Sequence, residues 1–188
     1  MAGDLDLTER SLDSRNVYRG ALLDAYCDTV SLPGGGEGTR EWLKHPGAAA
    51  VVPLFDDGTM LLVRQFRFPS RRVFLEIPAG KLDRPGESPD EVALRELEEE
   101  TGWTAGEIHP LVSIYPCIGY SNEIIHLFVA RALRPGRQSL SEGELVEPVR
   151  IPFDEAVSLV ANGHIDDAKS VAAILLANLQ RQSTERRQ

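Results

Sequence analysis

Residues 88–103 constrain this chain more than any other stretch, because they specify a helix with both of its ends marked. Ser88 suits the N-cap, Pro89 the first helical position, Glu91 the third residue after the cap, and Gly102 a left-handed C-terminal stop. Between those marks Val92, Leu94 and Leu97 supply an apolar side, whereas Glu96, Glu99 and Glu100 gather elsewhere on the surface. Glu96 and Glu100 are four residues apart and so project from one face a single turn apart. Like charges so placed cost ~0.2 to 0.5 kcal/mol unless a cation lies between the oxygens. The spacing predicts a helix half buried on a core and half facing a cleft, with carboxylates suited to a hard divalent ion such as Mg2+ and to substrate phosphates. Glu98, Glu99 and Glu100 by themselves would mark only a solvated helix face. What separates the two readings is the set of positions around them: Gly80, Glu87, Arg95, Gly102 and the apolar Trp103.

Elsewhere the chain alternates strand and helix signals. Residues 16–32 read as short antiparallel strands ended by the Pro33-Gly34-Gly35-Gly36 turn, which lacks the lysine and strand-to-helix setting of a phosphate-cradling loop. Residues 48–55 and 60–66 are β-favouring runs joined by Asp56-Asp57-Gly58-Thr59, a hairpin signal. Residues 73–78, 109–115, 124–132 and 149–152 are further strands. Residues 152–162 form a helix closed by Gly163, and Asp166 or Asp167 caps a last helix reaching about Leu179. Strands with intervening helices make a mixed α/β sandwich.

The 188 residues, 42% of them hydrophobic, suffice for one well-buried core with a small appended subdomain. A net charge of −9 disfavours nucleic acid as a partner, since counterion displacement needs a basic surface. No apolar run approaches 18 residues and no charged-then-apolar segment opens the chain, so no membrane association and a cytoplasmic location are expected. Cys27 and Cys117 make no disulfide framework, and His45, His109, His126 and His164 are too scattered for a zinc pattern.

The segment from Gly80 to Trp103 resembles the signature of the Nudix hydrolases: glycine, five residues, glutamate, seven residues, then Arg-Glu-aliphatic-x-Glu-Glu-x-Gly-aliphatic. One departure stands out. Six residues, Lys81 to Gly86, separate Gly80 from Glu87, an extension that a surface turn absorbs. Flanking segments extend the resemblance over most of residues 16–180: Arg40-Glu41, His45-Pro46-Gly47-Ala48, Val63-Arg64-Gln65-Phe66-Arg67, Leu75-Glu76-Ile77-Pro78-Ala79-Gly80-Lys81 and Gly119-Tyr120-Ser121-Asn122-Glu123. They are similar to the ADP-ribose and nucleoside-diphosphate-sugar pyrophosphatase branch. Ile118 stands where the ADP-ribose group usually has proline, with Pro116 two residues earlier, and this keeps other sugars open.

That resemblance implies a Nudix-type α/β/α sandwich with a mixed sheet, plus a small N-terminal antiparallel β subdomain. Residues 1–47 form the subdomain, 48–180 the hydrolase domain and 181–188 a frayed tail. It implies Mg2+, with Mn2+ as a substitute, held by Glu96, Glu100, the Ala79 carbonyl and Glu99. Arg95 and Glu87 tie loop to helix by ion pairing. The resemblance implies that one of Glu142, Glu144 and Glu147, in a loop after the last long strand, is the general base or a further metal ligand; Glu142 and Glu144 match the branch's two acidic positions, and Glu147 begins the next strand. Arg67 matches an arginine that binds the diphosphate, its planar fork suiting phosphate. Arg40 matches one near the base, and Glu123 a residue contacting the distal sugar. N-terminal strands in this branch usually pack on a second subunit and help build its site, so a homodimer is expected. The implied activity is hydrolysis of ADP-ribose or a related nucleoside-diphosphate sugar. The alternatives are a GDP-mannose- or UDP-glucose-preferring hydrolase and a non-catalytic ADP-ribose-binding module.

Overall fold

The computed structural model describes residues 5–185. Ten strands and three helices follow in order: β1 (Arg10–Arg19), β2 (Asp24–Ser31), β3 (Glu37–Lys44), β4 (Ala48–Pro53), β5 (Thr59–Arg67), β6 (Arg72–Glu76), β7 (Ala79–Lys81), α1 (Pro89–Thr101), β8 (Trp103–Ile114), β9 (Ile125–Pro135), β10 (Val146–Pro152), α2 (Phe153–Ala161) and α3 (Ala168–Glu185). They form two compact units, Met1–Pro46 with Cys117–Glu123, and Gly47–Pro116 with Ile124–Gln188.

In the smaller unit β1, β2 and β3 make an antiparallel sheet in that order, the subdomain that the sequence predicts, with β3 an element that the sequence reading does not name. Tyr26 stacks on Trp42 across β2 and β3, with ring centroids 5.0 Å apart. Every residue of β1 is exposed, including Leu12, Val17 and Tyr18.

The larger unit holds a four-stranded mixed sheet, β7-β4-β9-β8, and a three-stranded antiparallel sheet, β10-β5-β6. β4 lies at its centre and is buried along its whole length, running parallel to β9. Its alternate residues serve two cores, as the two-residue period of a strand requires. Ala48, Ala50 and Val52 join Ala173, Ile174 and Ala177 of α3 on one side. Ala49 and Val51 meet Val92, Ala93 and Leu97 of α1 on the other. Small residues on β4 let both helices approach closely, and helix, sheet and helix stack into the expected sandwich.

Three expectations need correction. The turn at Asp56–Thr59 forms, with Gly58 at φ +82°, yet only Leu54 and Met60 bridge across it. β4 and β5 then part into different sheets, because each finds a longer partner: β9 for β4, and β6 and β10 for β5. On α1 the apolar anchor beside Val92 and Leu97 is Ala93 rather than Leu94, which is only half-buried. The last helix passes Leu179 and runs to Glu185; residues 186–188 of the expected tail lie outside the described residues. Asp167 is its cap, its Oδ1 accepting the Ser170 N–H at 3.2 Å, while Asp166 pairs with Arg72. Among the described residues no helix is long and apolar enough to cross a membrane.

Candidate active site

α1 starts and stops where its sequence says. Glu91 Oε2 accepts both the Ser88 N–H and its hydroxyl at 2.8 Å, and Gly102 takes the left-handed conformation at φ +74°. The loop after β9 then docks on the helix's C-terminal carbonyls. Ser139 N–H donates to Glu99 O at 3.0 Å, Gln138 Nε2 to Glu100 O at 2.8 Å, and Gly136 N–H to Gly102 O at 2.8 Å. These bonds satisfy carbonyls that a helix end leaves orphaned, and they tether the segment carrying Glu142 and Glu144.

Glu100 is the most deeply placed carboxylate of the cluster, 7% exposed. Its Oε2 accepts the Ala79 N–H at 3.2 Å, and no cationic side chain among the described residues forms an ion pair with it. Burial first, and the Glu96 charge second, push its carboxyl up to about 8. Glu96 is also raised, by burial above all and in smaller part by Glu99 and Glu144. Arg95 spans the group: Nε and Nη2 fork onto Glu87 at 2.9 and 3.1 Å, while Nη1 holds Glu96 at 2.6 Å and Glu99 at 3.0 Å. Glu99 reaches Arg84 as well, at 3.2 Å.

Gly80 is required by contact. A Cβ there would lie 1.8 Å from Glu96 Oε1, so the Glu96 carboxylate rests directly on the backbone of β7. Ala79 and Gly80 thus stand against Glu100 and Glu96 respectively. Arg67 contributes positive charge that partly offsets Glu100, although its Nε and Nη2 are engaged by Glu76 at 2.7 and 2.8 Å.

The predicted residues therefore divide. Glu96, Glu99, Glu100, Ala79 and Arg67 converge, and of the loop acids Glu144 is the one whose charge reaches Glu96. Glu142 and Glu144 are both exposed, Glu144 Oε2 accepting the Ser141 N–H at 3.1 Å, and Glu147 pairs with Arg64 of β5 at 2.7 Å. Arg40 and Glu123 belong to the smaller unit, where Arg40 is paired with Glu9 and Glu123 stands 3.8 Å from His45. Neither residue type nor spacing marks Glu76, Lys169 or Gln138 as site residues; only residues 75–81, around Glu76, carry a motif signal.

The cluster's donors are hard oxygens throughout. No three His, Cys, Asp or Glu side chains among the described residues close into a metal-holding set as they stand, and Arg95 holds Glu96 and Glu99. A buried Glu100 without an ion-pair partner, beside Glu96, nevertheless fits a divalent cation: burial and the Glu96 charge disfavour its ionised form until a cation compensates it, and oxygen donors are what such ions take.

A NUDIX domain is matched over residues 44–174. The chain belongs to the Nudix family. It is 40% identical to an ADP-ribose pyrophosphatase of Bacillus subtilis over 93% of this chain and 95% of that one. It is 37% identical to a methanol dehydrogenase activator of Bacillus methanolicus, over 92% and 94%, and 34% identical to a GDP-mannose pyrophosphatase of Yersinia enterocolitica, over 71% and 74%. The crystal structure of an ADP compounds hydrolase shares the fold, with a TM-score of 0.82 at 24% identity over 94% of this chain and 95% of that one. Nudix hydrolases generally use divalent metal ions, in keeping with the oxygen-rich cluster on α1 of this Nudix chain.

Proposed function

We propose that this Nudix hydrolase cleaves the pyrophosphate bond of ADP-ribose or a related nucleoside-diphosphate sugar in the presence of Mg2+, giving a nucleoside monophosphate and a sugar phosphate. The observation that carries the reading is Glu100, a carboxylate almost wholly removed from water and lacking an ion-pair partner, on the helix face shared with Glu96. The pyrophosphatase relatives at 40% and 34% identity support the substrate class.

Glu96, Glu100, Glu99 and the Ala79 carbonyl would hold the metal. Bound there, the ion supplies a water of lowered pKa and offsets phosphoryl charge. Arg67 lies beside Glu100 with its Nη1 edge uncommitted, suited to a phosphate oxygen. Glu144 takes the proton of the attacking water at its carboxylate, and Glu142 is a bystander. Arg40 and Glu123 are assigned to the base and the distal sugar on their resemblance to the branch, Arg40 acting in the site of a second subunit. A homodimer through the fully exposed β1 follows from that assignment, and sedimentation velocity checks it.

A panel of ADP-ribose, GDP-mannose, UDP-glucose, diadenosine polyphosphates and deoxynucleoside triphosphates, run with Mg2+ and with chelator, tests the reading. ADP-ribose or another nucleoside-diphosphate sugar should be turned over fastest, and chelator should abolish turnover. Binding of ADP-ribose without release of AMP would make the chain a sensor instead. In the same assay Glu144→Gln should lower kcat by about 100-fold or more, and Glu142→Gln should stay within about threefold, the difference between a proton acceptor and a charge that takes no part in the step. Equal effects of the two would remove Glu144 from the role of base.

A further inference from the structure

Beneath Arg67 lies a buried ionic network that the proposed chemistry does not use. Glu76, at the end of β6, is 2% exposed, a burial that costs several kcal/mol for a carboxylate unless it is paired and hydrogen-bonded. Three donors converge on it. Arg67 forks onto both its oxygens, Nε to Oε1 at 2.7 Å and Nη2 to Oε2 at 2.8 Å, and the Lys169 ammonium also meets Oε2. Lys169 stands in the first turn of α3 with its side chain only 13% exposed, and its Nζ reaches Asp167 Oδ1 at 2.9 Å. Ser170 closes the arrangement, its hydroxyl oxygen accepting the Ile77 N–H at 2.9 Å. The start of α3 is thereby clipped to two consecutive residues of the strand end.

The arrangement is asymmetric. Glu76, Lys169 and Asp167 are enclosed, whereas the Arg67 side chain is 42% exposed. A network serving the core alone could be replaced by apolar residues at little cost or at a gain, since desolvation of buried charges offsets much of their attraction. What this one accomplishes is orientation. The two-point fork fixes the plane of the guanidinium and consumes the Nε and Nη2 edge, leaving Nη1 free of those bonds, and Glu100 lies close enough for its charge and that of Arg67 to act on each other. Lys169, itself shared with Asp167, holds the Glu76 carboxylate from a second side, so that its orientation does not depend on Arg67 alone.

We propose that Glu76 and Lys169 are positioning residues, holding Arg67 so that its Nη1 edge meets the substrate's diphosphate. The inference rests on the reading that a diphosphate binds beside Glu100. Its test uses the full chain and titration calorimetry with α,β-methylene ADP-ribose in Mg2+, alongside kcat and KM for ADP-ribose and melting curves for every variant. Lys169→Met should weaken analogue binding and raise KM by about tenfold, with kcat within about twofold, and Lys169→Arg should recover most of the loss. In an Arg67→Ala background Lys169→Met should change binding by less than about twofold, because the residue acts through Arg67. Should Lys169→Met fail to fold, Lys169→Gln carries the same comparisons. Wild-type affinity in the Lys169 variant, or an undiminished effect without Arg67, overturns the positioning role while leaving the diphosphate reading intact. A wild-type protein that binds no analogue overturns both.

Discussion

Glu100→Gln is expected to give a protein that melts higher than wild type in chelator at alkaline pH and hydrolyses almost nothing. The folded carboxyl titrates at about 8, raised from an ordinary 4.5 by burial and by Glu96. A raised acid contributes its stability fully below the unfolded value, and loses it as pH climbs to the folded one. Between pH 4.5 and 8 the metal-free wild type should therefore lose on the order of 4 kcal/mol from this group. The amide carries no such penalty and keeps an acceptor for the Ala79 N–H. The melting-temperature gap between variant and wild type should open from pH 5 to pH 9 to roughly 10 °C, the scale for a chain of this length. Mg2+ should shift the wild-type midpoint more at pH 8 than at pH 6, because binding then displaces fewer protons, and should shift the variant little. Turnover should fall by about 1,000-fold, as loss of electrostatic stabilisation in a desolvated site does. Scanning calorimetry with and without chelator reads the first set and AMP release the second. A gap independent of pH would remove Glu100 from its buried, unpaired setting, and near-normal turnover would remove it from the metal.

Gly80→Ala should be nearly as damaging to activity while sparing the fold. The backbone there needs no left-handed conformation, so the added methyl acts by contact alone, landing where Glu96 Oε1 now rests. Glu96 cannot swing away freely, because Arg95 holds it at 2.6 Å and is itself forked onto Glu87. The carboxylate must leave the β7 backbone, and kcat should drop by about 100-fold, the scale set by ~1 Å misplacements in a site. Combining Gly80→Ala with Glu96→Asp, one methylene shorter, should recover part of the loss. Full activity of Gly80→Ala at low Mg2+ would show that Glu96 need not lie on that strand.

Much of α1 was legible because its determinants are local. Ser88, Glu91 and Gly102 act within one turn of the helix ends, and the four-residue spacing of Glu96 and Glu100 follows from helix geometry. The glutamates' unequal fates were not legible. Glu100 is buried and Glu99 is paired with Arg95 and Arg84, a distinction set by which strands lie over the helix. The hairpin signal at Gly58 was a true turn signal that misled about pairing, since a turn residue reports a local conformation and not the partners that its flanking strands go on to choose. Among Glu142, Glu144 and Glu147, loop composition could not choose; the structure docks the segment that carries the first two on α1, brings the charge of Glu144 to bear on Glu96 and gives Arg64 to Glu147.

By itself the sequence determined a capped, carboxylate-bearing helix, a chain of strands around it and the family to which both belong, because periodicity, caps and motif spacing are properties of neighbours along the chain. Tertiary structure alone decided that Gly80 must be bare for Glu96 to lie against it, that Gln138 holds the acidic loop, and that Lys169 meets Glu76 across 93 residues. The last two contacts join residues whose separation in sequence carries no signal, and the motif spacing that marks Gly80 does not say what rests on it; all three exist only once the cores on the two sides of β4 have closed.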